Sequence, residues 1–324
     1  MTSVPITEGT TEAGAVLSGP PTRQVPVPGR RLAVRRVDPP SGVAGGPPVL
    51  LLHGVPQTSA CWSPLLDELG RDRTVLAPDL PGLGESELRG PYDVRAVASS
   101  LVALLAAELD GVADESDETA DDEGDTAGDA AAGPTRQVDL VGHDWGGSLA
   151  LAVAAARPDL VRRVVVVSAP YRKVDLTRAW HIPVLGFGPP ALFTRTGRAM
   201  VRGMFRYAWG RGRAPRALVE GYADAYADPE RVRAMVGYYR AAVRRQGAPE
   251  GRAPAARPER SLVVWGTNDP PMPLRVGESV VSDLGAVADP AGVRMVTLPG
   301  VGHWPLDEAP DVVVPLVADF LRRP

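Results

Sequence analysis

Two carboxylates and an imidazole stand in this 324-residue chain where side chains can do chemistry, each on a loop after a short apolar run. Asp144 sits in Gly142-His143-Asp144-Trp145-Gly146-Gly147, after the strand-like run Val138-Asp139-Leu140-Val141 and before the Ala-rich stretch 147–156. Glycines two positions either side of a central residue, between a strand and a helix, form a nucleophile elbow, here with Asp in place of the usual Ser. The elbow projects one side chain at a helix N-terminus, where the helix dipole favours negative charge. Asp269 ends Val263-Val264-Trp265-Gly266-Thr267-Asn268-Asp269, 125 residues after Asp144. His303, a further 34 residues on, lies in Gly300-Val301-Gly302-His303-Trp304. That is the expected chain order of nucleophile, acid and histidine. Upstream, His53-Gly54-Val55-Pro56 follows another apolar run, so the backbone N–H groups of Val55 and Trp145 can form an oxyanion hole.

A carboxylate suits displacement at a saturated carbon that bears a leaving group or belongs to a strained ring. Attack by Asp144 would give an alkyl-enzyme ester. His303, oriented by Asp269, would then activate water against the carbonyl of that ester. The enzyme would hydrolyse its own ester, so the substrate need contain no carbonyl. Plainer readings compete: Asp is common in Gly-rich turns, and a lone histidine after a strand is more often structural. Four pieces in the right order, each after a strand, outweigh them. His53 and His143 read as braces for the loops beside the site, with His53 also a tentative pocket residue. Cys61, the single cysteine, reads as a small buried apolar residue.

The elements that must position these groups alternate. Runs at 31–37, 49–53, 74–77, 138–141, 164–168, 262–265 and 293–298 read as strands. Stretches at 59–69, 94–109, 147–156 and 311–321 read as helices. Such alternation implies a parallel sheet covered on both faces. Two segments interrupt it. Residues 111–132 hold nine acidic residues and no basic ones, too little apolar surface to offset ordering entropy, and are expected to be a disordered insertion. Residues 171–259 hold six of the seven tyrosines and are expected to be a helical lid over the carboxyl ends of the strands, where open α/β sheets bind ligands. Core segments 29–170 and 260–324 and a flexible N-terminus 1–28 complete the expected organisation.

The net charge of −4 argues against a nucleic-acid partner. No run reaches the roughly 18 apolar residues of a membrane span, and residues 1–28 lack the features of a signal peptide. The expectation is a cytoplasmic protein with a small-molecule substrate and no membrane partner, as monomer or homodimer. No metal cluster or nucleotide loop is visible, and the chemistry above needs no cofactor.

The motifs HGVPQT, GHDWGG, WGTNDPPMP and GHWP resemble the α/β-hydrolase branch that contains epoxide hydrolases, haloalkane dehalogenases and haloacetate dehalogenases. The resemblance runs from about Arg31 to the C-terminus. It implies eight mostly parallel strands, a helical cap and an Asp–His–Asp triad. An epoxide oxygen leaves as an alkoxide and wants an acid, in these families cap phenols. Gly237-Tyr238-Tyr239-Arg240 resembles the motif around the second cap tyrosine, which places Tyr239 in that role with Tyr238 beside it. Where the first cap tyrosine is expected, after Trp180, this chain has His181. An imidazolium there could donate to the epoxide oxygen. Alternatively Tyr239 works alone, or Tyr207 supplies the second hydroxyl. Haloalkane dehalogenases place Asn where this chain has Val55. Haloacetate dehalogenases place Arg where it has Trp145, and an acid where it has Ser168. The expectation is an epoxide hydrolase acting on an apolar or aromatic epoxide, with Trp180, Tyr207, Tyr238 and His53 as tentative pocket residues. The alternatives are a dehalogenase and a non-catalytic ligand-binding relative.

Overall fold

The computed structural model describes residues 1–4, 19–43, 45–109, 137–171, 174, 176–245, 260–286 and 290–323. The acidic stretch 111–132 and the end of the tyrosine-rich insertion, 246–259, lie outside them.

The short aliphatic runs form one sheet. In chain order its strands are β1 (Thr2–Ser3), β2 (Arg23–Val27), β3 (Arg30–Val37), β4 (Val49–Leu52), β5 (Val75–Pro78), β6 (Val138–His143), β7 (Val161–Val167), β8 (Arg260–Gly266) and β9 (Val293–Leu298). Their order across the sheet is β1-β9-β8-β7-β6-β4-β5-β3-β2. Pairings from β5 to β1 are parallel, while β3 runs antiparallel to both β5 and β2. Every residue of β4 and β5 is buried, because helices cover both faces of the sheet. Helix α1 (Ser63–Leu69) packs with the helix Pro310–Arg322, as does α2 (Val94–Glu108) with α3 (Trp145–Ala156).

The sheet therefore has nine strands among the described residues, not eight, and part of the expected N-terminal tail belongs to it. Arg23–Val27 pairs residue for residue with Val34–Arg30, burying Val25 and Val27 while their neighbours face out. Pro26 obscures this period-2 pattern in the sequence but is compatible with an edge strand. Thr2–Ser3 adds a short parallel pairing to β9 at the other edge.

Between β7 and β8 the chain forms α4 (His181–Phe187), α5 (Pro190–Thr194), α6 (Gly197–Ala208), α7 (Arg216–Ala225) and α8 (Pro229–Arg245). They stand over the carboxyl ends of the central strands, as the cavity shared between helices and sheet shows. Ala208, at the end of α6, also accepts a hydrogen bond from the His303 N–H (2.8 Å).

Candidate active site

Asp144 follows β6 and caps α3 with φ +48° and ψ −119°, a conformation that non-glycine residues rarely adopt. The strain holds because neighbouring backbone is packed tightly around the turn. A Cβ at Gly146 would sit 1.9 Å from the Leu52 carbonyl oxygen, so only glycine lets α3 cross β4 that closely. A Cβ at Gly54 would lie 2.6 Å from Cβ of Asp144. That absence of side chain lets the loop after β4 close on the carboxylate, and the Val55 N–H donates to Asp144 Oδ2 at 3.0 Å.

The loops after β8 and β9 bring in the other two groups. His303 Nδ1 lies 2.9 Å from Asp269 Oδ2, and Asp269 Oδ1 accepts the Met272 N–H at 2.9 Å. His303 Nε2 lies 3.7 Å from Asp144 Oδ1. The carboxylate that faces His303 thus comes from the β8 loop, and the end of β7 carries only Ser168. All three side chains are buried. Burial alone would neutralise His303, but the charges of Asp269 and Asp144 outweigh it and lift its pKa to about 10. Burial likewise opposes ionisation of Asp144, yet His303, His143 and the Val55 N–H together hold its carboxyl below the usual value. An ionised carboxylate facing an imidazolium is the resting state these shifts define.

Asp144, His303, Val55, Tyr239, His181, Trp180 and Tyr207 all line one cavity of about 470 Å³. Its remaining lining is mainly aliphatic and thioether, including Leu185, Leu192, Met200 and Met204. Tyr239 is buried and its ring stands edge-on to Trp145 (centroids 5.5 Å) and to His181 (5.7 Å). Burial and the Asp144 charge push its pKa well up, so it keeps its proton. Burial pulls His181 down to about 4, so it is a neutral imidazole at neutral pH, with one ring N–H to donate.

Two tentative pocket residues do not line the cavity. Tyr238 points away from it: its hydroxyl donates to the Pro81 carbonyl (2.8 Å) and its ring stacks on Tyr92. Consecutive positions on α8 face different ways, and Tyr239 has the inward one. His53 is fully buried, with Nδ1 2.7 Å from the Gly54 carbonyl and Nε2 accepting the Leu80 N–H (2.9 Å). It braces two loops, as does His143.

His143 belongs to a buried chain that the motifs do not display. Tyr222 on α7 donates to Asp307 Oδ1 (3.2 Å), the Asp307 carboxyl meets the Gln57 amide (2.6 Å), Gln57 meets His143 Nδ1 (2.8 Å), and His143 Nε2 lies 2.7 Å from the His303 carbonyl. Burial pulls His143 down to about 4 and pushes Asp307 up to about 7. A neutral imidazole has one N–H, which the His303 carbonyl requires at Nε2. As placed, Gln57 Oε1 faces His143 Nδ1 and Gln57 Nε2 faces Asp307 Oδ2; the amide must be turned over for its NH₂ to donate to Nδ1 and its carbonyl to face Asp307. Donor and acceptor accounting closes when Asp307 is a carboxylic acid donating to Gln57, and 2.6 Å suits an O–H···O bond. Glu308, the next residue, accepts backbone N–H bonds from Gly210 (2.8 Å), Gly302 (2.9 Å) and Trp304 (3.2 Å), tying the inserted helices to the His303 loop. Gln57 lies within the HGVPQT motif, and Asp307 and Glu308 follow GHWP by two and three residues, which is the sequence signal for them.

The chain belongs to the alpha/beta hydrolase family, whose model matches residues 49–316. Over 300 residues it is 24% identical to epoxide hydrolase 4 of Mus musculus, covering 87% of this chain and 75% of that protein. Over 138 residues it is 36% identical to the 2-hydroxy-6-oxo-2,4-heptadienoate hydrolase of Pseudomonas putida, covering 42% of each. Among solved structures, the epoxide hydrolase CorEH without ligand superposes with a TM-score of 0.71 at 22% identity, over 92% of this chain and 97% of that one. At that identity the likeness is one of fold, and membership of the family makes the chain a hydrolase of the α/β fold.

Proposed function

We propose that the protein opens an apolar epoxide to a vicinal diol through an ester on Asp144. The observation that carries this reading is the pairing, within one apolar cavity, of an ionised carboxylate at the elbow with two proton-bearing neutral groups, Tyr239 and His181, from the inserted helices. A serine hydrolase would need no such pair. A halide carries no proton and would be served by N–H donors, whereas an epoxide oxygen develops negative charge and takes a proton.

In the first step Asp144 attacks a ring carbon, the C–O bond breaks, and its electron pair stays on oxygen. The alkoxide takes the hydroxyl proton of Tyr239, with His181 N–H as a second donor. Esterification removes the Asp144 charge, so His303 loses one of the two carboxylates that hold its proton. Its pKa falls, the proton goes to restore Tyr239, and His303 becomes a base. In the second step His303, held by Asp269, takes a proton from water as the water oxygen bonds to Cγ of Asp144. The N–H groups of Val55 and Trp145 receive the oxyanion. On collapse the Cγ–O bond to the substrate breaks and the leaving oxygen takes the hydroxyl proton of the intermediate, which releases the diol and leaves Asp144 carboxylate beside His303 imidazolium, so the sum is epoxide plus water to diol.

Replacing His303 with Gln tests this directly. The variant should alkylate and then stall, giving an intact mass raised by that of the whole epoxide, mapped to Asp144. An adduct formed only from alkyl halides, lighter by the departed halide, would assign a dehalogenase. No adduct from either class would overturn the covalent route.

A further inference from the structure

The cavity opens onto apolar surface. Trp180, Val184, Leu192 and Tyr207 line it and are also 50%, 47%, 57% and 38% exposed. Phe187, outside the cavity lining, is 75% exposed. Trp180, Val184 and Phe187 are spaced i, i+4 and i+7, so they form a single ridge along α4. Exposed large apolar side chains gathered at a cavity mouth mark an interaction surface.

The charge around this mouth is one-sided. Residues 176–219, which contain α4, α5 and α6, include eight arginines and no acidic residue, in a chain of net charge −4. Arg198 and Arg202 turn to Glu220 and Asp224 on α7. Arg178, Arg195 and Arg206 are exposed and form no ion pair among the described residues. They neighbour mouth residues along the chain: the Arg178 carbonyl accepts the Tyr207 hydroxyl (3.2 Å), Arg195 stands between cavity residues Phe193 and Thr196, and Arg206 precedes Tyr207 on α6. Exposed aromatic and aliphatic side chains among unpaired arginines fit the boundary between anionic headgroups and acyl chains.

We propose that this face seats the protein on an anionic lipid surface, with the cavity mouth toward the acyl region, so that an apolar substrate dissolved there passes into the cavity without crossing water. The absence of an apolar run long enough to span argues only against a transmembrane segment. Peripheral seating needs no span, and no helix among the described residues is long and apolar enough to make one. The proposal concerns how substrate reaches the cavity and stands whatever bond is broken there.

The test is co-sedimentation of the full chain with extruded vesicles of phosphatidylcholine alone or with about one quarter phosphatidylglycerol, at roughly 0.1 M salt. Binding should require the anionic lipid. Arg195→Gln and Arg206→Gln should each weaken it about fivefold, and Phe187→Ser about tenfold, with melting temperatures unchanged. Equal binding to both vesicle types, no binding to either, or insensitivity to Phe187→Ser would overturn it. So would a dimer in sedimentation velocity that Phe187→Ser splits, since the patch would then be a contact between copies. None of these readouts involves turnover, so failure here leaves the ester trap on Asp144 unaffected, and the reverse also holds.

Discussion

His303 Nε2 and Asp144 Oδ1 face each other across 3.7 Å, too far for a hydrogen bond and close enough for their charges to be coupled. On its other side His303 is fastened at 2.9 Å to Asp269. The imidazole is therefore anchored to one carboxylate and biased by the other, and only the biasing one changes charge when an ester forms.

This arrangement predicts an imidazolium at neutral pH. In the free protein the His303 ring should titrate near pH 10, read from its ring ¹⁵N shifts, and Asp144→Asn should lower that pKa markedly. Because the folded pKa lies above the ordinary 6.5, the associated stability is full below about pH 6.5 and fades as pH rises toward 10. A His303 pKa unaffected by Asp144→Asn would contradict the proposed switch from acid to base.

Gly54 predicts a position where one methyl group disables the site without unfolding the chain. In Gly54→Ala the new Cβ would meet Asp144 Cβ at 2.6 Å and Oδ2 at 2.8 Å, displacing the carboxylate from its Val55 N–H. A loss of about a hundredfold in kcat/KM is expected, with secondary structure unchanged by circular dichroism.

Tyr239 and His181 should matter in proportion to the proton that the leaving group needs. Tyr239→Phe should slow ester formation from an epoxide about a hundredfold or more, and His181→Leu by a smaller factor. In stopped-flow experiments on the His303→Gln background, the same changes should affect an alkyl halide little. Because His181 titrates near pH 4, its contribution should be flat from pH 6 to 8.

Asp307 should behave as a buried neutral acid. Its folded pKa of about 7 lies above the ordinary carboxyl value of 3.8. Folding therefore takes up a proton between those limits, and stability falls across that window by an amount on the order of a few kcal/mol. Asn supplies the same donor to Gln57 and the same acceptor to Tyr222. Asp307→Asn should thus keep activity and melt higher than the unchanged protein at pH 8, with the gain vanishing near pH 4. Asp307→Ala, which breaks the chain to His143, should lose both stability and kcat. A carboxylic C=O stretch lost in Asp307→Asn would report the same proton by infrared difference spectroscopy.

The elbow, the acid loop, the histidine loop and the Val55 loop are legible in the chain because each is a local object. Glycines and a strand end force the backbone to present one side chain, and few residues carry the whole instruction. The alternation of apolar runs likewise announces a parallel sheet, since strands buried on both faces must be continuously apolar. Edge strand β2 is hidden because Pro26 blurs a two-residue period.

Facing and long-range pairing are a different matter. Tyr238 and Tyr239 are adjacent and chemically identical in sequence, yet one stacks on Tyr92 and the other lines the cavity, a difference set by how α8 packs against α4 and α5. The Gln57–Asp307 contact joins residues 250 positions apart, and Tyr222–Asp307 joins an inserted helix to the core. The protonation states of His181, His143 and Asp307 depend on burial that no local motif encodes. Only when the packed helices exclude water from those groups does the free energy of ionisation change, so their chemistry is a property of the folded ensemble of neighbours.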